Sequence, residues 1–428
     1  MENAARQATR HDDIKGRFDP WLLGPSLALA CLGVVMVASS SIAIGENLEV
    51  GPFYFLTRHL VFLAIGLALA GWAMCTELKT IERYNHLLLL ACFALLLLVF
   101  VPVIGSSVNG ARRWINLGVS RVQVVEAVKL MFIVWLASYL VRFSGDVAVT
   151  WGAMLKPLGV AAGLVALLLL QPDFGSSSLL LAIAAGMLVL GGVNLPKMSL
   201  PIIVGLPILA FVAILEPYRM RRFTTFLDPW ADQLGSGYQL TNALMAIGRG
   251  EWFGVGLGGS VQKLSYLPEA HTDFIFAVIG EELGFFGVCV VIGLYTLLVG
   301  RALYIGARCV ERRRHFAGYC AFGVALWIGL QAIVSIGVNL GLLPTKGLTL
   351  PLISSGGSSV VMTCVALGLL LRVSYELDRS ERQVAIRRDA FQSAESAPVA
   401  EMPVTTASAG DPSSRPRERI EPTYAEVA

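Results

Sequence analysis

Residues 273–300 read DFIFAVIGEELGFFGVCVVIGLYTLLVG, an apolar run that opens with Asp273 and is broken only by Glu281 and Glu282. A helix needs about 20 apolar residues to cross the ~30 Å hydrocarbon core of a bilayer, and this stretch exceeds that length. The whole chain agrees, since 55% of its 428 residues are hydrophobic and 15% are charged. Soluble domains have about a quarter of their residues charged. The stretch therefore predicts a spanning helix in a polytopic membrane protein.

Further apolar segments on both sides of this run predict an all-α fold with ten transmembrane helices. The predicted spans lie at 21–43, 56–76, 86–104, 122–141, 153–170, 176–194, 198–216, 273–300, 316–341 and 350–373. The net charge of +3 is small and spread out, which gives no indication of nucleic-acid binding. The seven cysteines lie in or beside apolar stretches without a CxxC pair, so we expect neither a disulfide nor a zinc site.

Positive charge predicts the orientation, because short cytoplasmic loops carry an excess of Lys and Arg. Four arginines stand between the eighth and ninth segments, namely Arg308, Arg312, Arg313 and Arg314. Both termini are therefore predicted to be cytoplasmic, and loop 217–272, between helices seven and eight, to be periplasmic. The chain divides into a cytoplasmic segment 1–19, a membrane domain 20–375 and a tail 376–428 whose composition predicts disorder.

Two outward-facing loops carry cations against this bias. One includes Arg112 and Arg113 beside Trp114, and the other is loop 217–272, with Arg219 and Arg222 among its cations. These side chains either bind lipid headgroups and nearby carboxylates or form an anion-binding surface at the outer leaflet. Arginine suits the second role, because its planar fork binds phosphate oxygens bidentately. A lipid-linked phosphate or pyrophosphate would fit such a surface.

Ionisable residues also lie within the predicted spans. Glu126 and Lys129 are three residues apart on one helix face, so we expect them to pair, either structurally or as the floor of a polar cavity. Glu281 and Glu282 point about 100° apart, so one of them could reach Lys129 or an outer-loop arginine. Asp173, in Gln-Pro-Asp-Phe-Gly, is either a turn residue or part of the cavity.

Asp273 stands at the start of a predicted helix, directly after Pro268-Glu-Ala-His-Thr272. A carboxylate in that place can cap free backbone N–H groups. At the mouth of a cavity beside a cationic surface, it can equally act as a general base. The nearby Gly254–Gly259 run resembles a dinucleotide fingerprint only superficially, and we interpret it as glycine-dense turn or re-entrant backbone.

Several of these stretches together resemble the SEDS family (shape, elongation, division and sporulation), and specifically its division branch. The matching motifs are YLPEAHTDFIFAVIGEELG at 266–284, NGARRW at 109–114, QPDFG at 171–175, GYQ at 237–239, LPTKGLTLP at 343–351 and GGSS at 356–359. The resemblance covers about residues 15–375. Two positions depart from the family pattern: Val124-Val125 replaces the usual Pro-Ser or Pro-Ala, and Ser355 replaces tyrosine. Both changes concern local geometry and leave every charge of the site in place.

The resemblance implies a peptidoglycan glycosyltransferase that polymerises lipid II at the outer face of the bacterial inner membrane, at the division septum. It implies a class B penicillin-binding transpeptidase of the FtsI type as partner, together with division proteins of the FtsQ, FtsL and FtsB type. The family's catalytic aspartate matches Asp273, and its membrane glutamate and lysine match Glu126 and Lys129. A lipid II flippase and a division scaffold without enzymatic activity are the alternative functions.

In this mechanism Asp273 deprotonates the acceptor hydroxyl, which attacks the donor's anomeric carbon with inversion, and undecaprenyl pyrophosphate leaves. Glu269, on the same loop, is the competing candidate for the base. A divalent cation, Mg²⁺ or Mn²⁺, is a candidate for balancing the pyrophosphate charge, with no cofactor otherwise expected. The candidates for binding pyrophosphate or substrate are Arg112, Arg113, Trp114, Arg219, Arg222 and Lys346. The candidates for lining the cavity are Glu126, Lys129, Asp173, His271, Glu281 and Glu282.

Overall fold

The structure is a computed structural model that describes residues 15–108, 111–116, 118, 121–264 and 266–395. Its helices are α1 (Pro20–Asn47), α2 (Tyr54–Cys75), α3 (Leu78–Arg83), α4 (Asn85–Leu98), α5 (Val124–Arg142), α6 (Ser144–Val149), α7 (Trp151–Leu170), α8 (Phe174–Leu190), α9 (Leu195–Ile214), α10 (Pro217–Leu227), α11 (Tyr238–Gly250), α12 (Ile275–Glu311), α13 (His315–Asn339) and α14 (Gly357–Glu395). One compact unit ends at Arg382, and a second begins at Gln383.

Eight of the described helices are long and apolar enough to cross a membrane, and α4 and α8 are shorter apolar helices. Each of these ten helices overlaps one of the ten predicted segments, but only the eight long ones meet the length of a full span, and the last begins at Gly357 rather than at residue 350. The last helix continues to Glu395, past residue 375, where the sequence predicts the membrane domain to end. The predicted tail beyond Glu395, like residues 1–14, lies outside the described residues.

The centre of the membrane domain is formed by α5 and α13. In their most apolar windows 78% and 72% of the residues are buried, against 6% in α9. A helix that is apolar on every side and packed on every side lies inside a bundle, whereas α9 presents nearly its whole surface to its surroundings. The polar side chains of α5 and α13 therefore face other protein groups.

A small antiparallel sheet was not predicted by the all-α assignment. It consists of β1 (Gly105–Val108), β2 (Ala111–Asn116) and β3 (Arg121–Gln123), in that order. The strands are three to six residues long and pair only with their chain neighbours, so their sequence carries little periodic signal. The sheet places Arg112, Arg113 and Trp114 on β2, and β3 leads directly into α5.

The helix α12 is interrupted at Gly284, whose φ of 66° and ψ of −163° are not helical. The glycine-dense loop supplies the missing hydrogen bonds: Val255 N–H donates to the Glu281 carbonyl (3.0 Å) and Phe285 N–H donates to the Glu251 carbonyl (2.9 Å). Non-helical backbone at such a place is tolerated because its polar groups are satisfied by other protein groups. The Gly254–Gly259 run is thus turn backbone packed against this break, as its composition predicted.

Candidate active site

Asp273 lies directly before α12, but its carboxylate does not cap that helix. The N-cap residue is Phe274, whose side chain makes no capping hydrogen bond. The Asp273 carboxylate instead approaches Gly347, where an added Cβ would stand 3.2 Å from Asp273 Oδ2. Gly347 therefore leaves room for this carboxylate between α12 and the segment 343–351.

Burial makes the Asp273 carboxyl a weak acid. It raises the pKa of Asp273 to about 7, and the negative charge of Glu269 acts in the same direction, while Arg222 and Arg113 oppose both. A general base works best when its pKa lies close to the operating pH. The site thus holds a carboxylate suited to accept a proton near neutrality.

Glu269, the competing base, occupies a different environment. Its side chain is exposed, its φ is 56°, and Thr272 Oγ1 donates to Glu269 Oε2 at 2.8 Å. Glu269 is thus open to solvent and held by a residue of its own loop, whereas the Asp273 carboxylate faces Gly347. The geometry therefore favours Asp273 over Glu269.

Two cations, Arg219 of the long loop and Lys346 of segment 343–351, lie at Phe174, the first residue of α8. Arg219 Cζ lies 5.4 Å and Lys346 Nζ 5.2 Å from the centroid of the Phe174 ring. Arg222 Nη1 donates to the Thr345 carbonyl at 3.0 Å, which ties α10 to the segment carrying Gly347. Burial lowers the pKa of Lys346. Arg219 and Lys346 thus share the Phe174 ring, while Arg222, whose charge acts on Asp273, is tied to the residue that precedes Lys346.

Arg113 and Asp173 meet at the turn between α7 and α8. Arg113 Nε donates to the Gln171 carbonyl at 3.2 Å, and its guanidinium lies 4.0 Å from Asp173 Oδ1. Asp173 caps α8, since Ser176 N–H donates to Asp173 Oδ1 at 3.1 Å. Asp173 is therefore a turn and capping residue, buried beside the cationic cluster. Arg112 is exposed on β2 and is not brought into this cluster.

The predicted pairing of Glu126 with Lys129 is present, with Lys129 Nζ 2.9 Å from Glu126 Oε1. Lys129 also donates to Gln331 Oε1 on α13 at 2.7 Å, and Gln331 Nε2 donates to the Thr349 carbonyl at 2.9 Å. The buried ion pair is thereby connected to segment 343–351, which packs against Asp273. Sequence reasoning missed Gln331, because a single glutamine in an apolar helix gives no indication of its partner.

Glu281 and Glu282 contact cations of the long loop. Glu281 Oε1 lies 3.2 Å from Arg249 Nη1 and also accepts from Val261 N–H at 3.0 Å. Glu282 Oε1 lies 2.7 Å from Lys263 Nζ, and Ser39 on α1 donates to the same carboxylate. The predicted contact with an outer-loop arginine is correct for Glu281. The side chains serve to fix the loop at the break in α12, away from Lys129.

A groove of about 740 Å³ lies between α2 and the small sheet. Its lining includes Arg58, Val61 and Ile65 from α2 and Trp114 and Arg121 from the sheet. The ring of Phe55, also on α2, packs at a tilt against the ring of His271 with centroids 4.7 Å apart. Burial lowers the pKa of His271. The negative charge of Glu269 partly opposes this shift, and the positive charge of Arg58 adds to it. The α2 side of the groove thus reaches the His271–Asp273 segment, and Arg58, hidden within an apolar run, was not predicted as a site residue.

A divalent cation would find few protein ligands here. Within the described ranges, no three His, Cys, Asp or Glu side chains cluster closely enough to hold a metal ion. Mg²⁺ is commonly held by one or two carboxylates together with substrate phosphates, and Asp273 could contribute one. The residues do not form a metal site by themselves, so no catalytic step is assigned to a metal.

Comparison with known sequences gives a consistent result. The family model for FtsW, RodA and SpoVE, described as a cell cycle protein, matches residues 21–379. A relative from Xanthomonas oryzae pv. oryzae, named a probable peptidoglycan glycosyltransferase FtsW, is 70% identical over 382 residues, 89% of this chain and 78% of the relative. A relative of the same name from Coxiella burnetii is 48% identical over 365 residues, 85% of this chain and 98% of the relative.

Solved structures show the same fold. One match is a chain from a study of the structural coordination of polymerization and crosslinking by a peptidoglycan synthase complex. Its TM-score is 0.69 at 30% identity, and the match covers 84% of this chain and 98% of that chain. The rod shape determining protein RodA of Thermus thermophilus has a TM-score of 0.61 at 30% identity, and the match covers 83% of this chain and 96% of that one.

Proposed function

This chain belongs to the FtsW, RodA and SpoVE family of cell cycle proteins, and on that premise we propose that it is a peptidoglycan glycosyltransferase of the FtsW type that polymerises lipid II into glycan strands. The observation that carries the mechanism is the position of the half-buried Asp273 carboxylate against Gly347, near Arg222 and Arg113, where its pKa is raised to about 7. This arrangement pairs a proton acceptor with an anion-binding surface, which glycosyl transfer from a pyrophosphate requires.

Asp273 acts as the general base. It takes the proton of the acceptor sugar hydroxyl as the hydroxyl oxygen attacks the donor's anomeric carbon, and the bond from that carbon to the pyrophosphate oxygen breaks. Attack opposite the leaving group inverts the anomeric configuration. A glycosidase needs a second carboxyl to protonate its leaving oxygen. Undecaprenyl pyrophosphate is already anionic, so one base suffices and the remaining requirement is charge compensation.

The two cations at Phe174 and the neighbouring Arg222 supply that compensation. Arg219, Arg222 and Lys346 bind the pyrophosphate, and Arg113 holds the α7–α8 turn against the same place. Trp114, on β2, lines the groove, and together with the exposed Arg112 on the same strand it contacts the sugar or headgroup region. Arginine and lysine fixed before substrate arrives stabilise developing charge without a reorganisation cost.

The groove between α2 and the sheet is the path for a lipid-linked substrate. Arg58 and Arg121 can bind phosphate oxygens at the outer-leaflet level, while Val61 and Ile65 offer apolar surface to the prenyl chain. Phe55 of α2 packs against His271, two residues before Asp273, and so connects the α2 side of this groove to Asp273. Substrate can thus reach the base laterally from the membrane.

The membrane arrangement follows from the same proposal. Ten helices, including the shorter α4 and α8, cross the bacterial inner membrane at the septum, with cytoplasmic termini and a periplasmic loop 217–272 between helices seven and eight. The membrane domain comprises residues 20–375, preceded by cytoplasmic residues 1–19 and followed by a cytoplasmic tail. The partners are a class B penicillin-binding transpeptidase of the FtsI type and division proteins of the FtsQ, FtsL and FtsB type, which fits a likeness to a chain of a peptidoglycan synthase complex.

The decisive experiment is polymerisation of purified lipid II by the protein in complex with its transpeptidase partner. Asp273→Asn is isosteric and cannot accept the proton, so we expect a loss of rate of at least about 100-fold. Asp232→Asn, an exposed aspartate of the same loop, is the matched control and should polymerise normally. Wild-type polymerisation by Asp273→Asn would exclude this base. An inactive wild-type protein that instead moves lipid II across vesicle bilayers would support a flippase.

A further inference from the structure

Three successive carbonyl groups at Asp273 are held from outside their own segment. The His271 carbonyl accepts from Ser355 N–H at 2.9 Å, and the Thr272 carbonyl accepts from Ser354 Oγ at 2.6 Å. The Asp273 carbonyl accepts from Asn339 Nδ2 at 3.0 Å. The main chain on both sides of the Asp273 Cα is therefore fixed by residues far along the sequence, and with it the direction of the Cα–Cβ bond that carries the carboxylate.

Asn339 makes a contact of a different kind from the two serines, because it joins Asp273 to the helix behind it. Its side chain is fully buried at the end of α13. Asn339 Oδ1 accepts from Ala277 N–H in the first turn of α12 at 3.1 Å, and Asn339 Nδ2 donates to Asp273 O and, at 2.8 Å, to the Ser335 carbonyl. Reversing the amide would set its oxygen against two carbonyls, so the network fixes its orientation.

We infer that Asn339 is a positioning residue that sets the direction of the Asp273 carboxylate by holding the Asp273 carbonyl and the first turn of α12 with one side chain. The inference rests on the proposed function, in which Asp273 is the base. The residue preceding α12 provides no side-chain cap, so the amide of Asn339 replaces that cap from a neighbouring helix. A base must lie within hydrogen-bond reach of the proton it removes, which makes its placement as important as its pKa.

The test compares Asn339→Leu and Asn339→Asp in the full protein with its transpeptidase partner, using purified lipid II as the probe. Asn339→Leu removes all three hydrogen bonds at nearly constant size. Asn339→Asp keeps the acceptor for Ala277 N–H and loses the donor to Asp273 O when ionised. Asn242→Leu is the matched control, since Asn242 is also buried and donates to two backbone carbonyls, those of Tyr238 and Tyr266, without touching Asp273.

We expect both Asn339 variants to lower kcat by about 100-fold, as a misplacement of about 1 Å can, with the KM for lipid II within about twofold of wild type. Asn242→Leu should change thermal stability as much as Asn339→Leu does, yet keep kcat. A wild-type kcat in Asn339→Leu, which can neither accept from Ala277 N–H nor donate to the Asp273 carbonyl, would overturn the inference. So would a loss of kcat in Asn242→Leu equal to that in Asn339→Leu. Full activity of Asp273→Asn would instead overturn the proposed function itself.

Discussion

The basicity of Asp273 arises from its surroundings. An exposed aspartate has a pKa of about 3.9, which makes it a poor base at neutral pH. Burial between α12 and segment 343–351 disfavours its charged form and raises its pKa to about 7, with Glu269 adding to the effect. Arg222 and Arg113 keep the shift from becoming larger. Bound pyrophosphate would place further negative charge near the carboxylate and so strengthen the base when substrate is present.

The pH dependence of polymerisation tests this balance. The base is active when deprotonated, so the rate should fall below pH 7 and be about tenfold lower at pH 6 than on the alkaline plateau. Glu269→Gln removes a negative neighbour, which lowers the pKa of Asp273 and should shift the acidic limb to lower pH with the plateau unchanged. The measurement is the initial rate of lipid II polymerisation between pH 5 and 9.

Two other outcomes for the Glu269→Gln variant would bear on which carboxylate is the base. An inactive Glu269→Gln would assign the base to Glu269. An acidic limb that stays in place in this variant would show that Glu269 does not influence the titrating group. Thr272→Val, which removes the hydroxyl that donates to Glu269, serves as a control for changes in loop structure.

At the level of single elements, α12 shows how a helix break is accommodated within a spanning segment. Loop backbone at 251–256 replaces the lost helical partners around Gly284, and the carboxylates of Glu281 and Glu282 bind Arg249 and Lys263 of the same loop. Buried carboxylates without partners would be costly, so the loop and the helix depend on one another. The break thereby fixes the long loop to the membrane domain close to Asp273.

Gly284→Ala tests that dependence. An added Cβ at Gly284 would stand 2.3 Å from Gly254 N, and the backbone conformation there is one that essentially only glycine adopts. We expect destabilisation of about 1–3 kcal/mol from backbone strain, with more from the contact. Gly293→Ala, in the regular part of α12 with no neighbour within 4 Å of the added Cβ, should be neutral or slightly stabilising.

Thermal unfolding in detergent measures both glycine variants. Equal stability of Gly284→Ala and Gly293→Ala would mean that the break in α12 is not required. A selective loss in Gly284→Ala, accompanied by faster proteolysis within 251–264, would show that the loop is released together with the break.

At the scale of the whole molecule, one end of the membrane domain is held by ion pairs. Arg301 forms two hydrogen bonds with Asp19, at 2.9 and 2.7 Å, which connect α12 to the start of α1. Arg308 and Arg314 pair with Glu381 and Glu376 of α14. These arginines include those that predict a cytoplasmic location for the loop after α12. The same cations therefore favour an orientation and join the helices at that face.

Cysteine labelling tests the orientation. In a variant without the native cysteines, Asp232→Cys should react with a membrane-impermeant maleimide added outside the inner membrane, because loop 217–272 is proposed to be periplasmic. Glu311→Cys, exposed at the end of α12, should react only after the membrane is opened. Labelling of Glu311→Cys from outside in intact cells would reverse the proposed orientation.

The sequence by itself determined where the eight long apolar helices lie, because hydropathy is a local property of the chain and a bilayer imposes a minimum length. It also determined the pairing of Glu126 with Lys129, since residues three apart on a helix are neighbours, and it singled out Asp273. Only the tertiary structure decided the small sheet, the partners of Glu281 and Glu282, the roles of Arg58 and Gln331, and the hold of Asn339 on Asp273. These features depend on contacts between residues distant along the chain. The raised pKa of Asp273 belongs with them, because burial is created by other segments and cannot be deduced from the residues beside it.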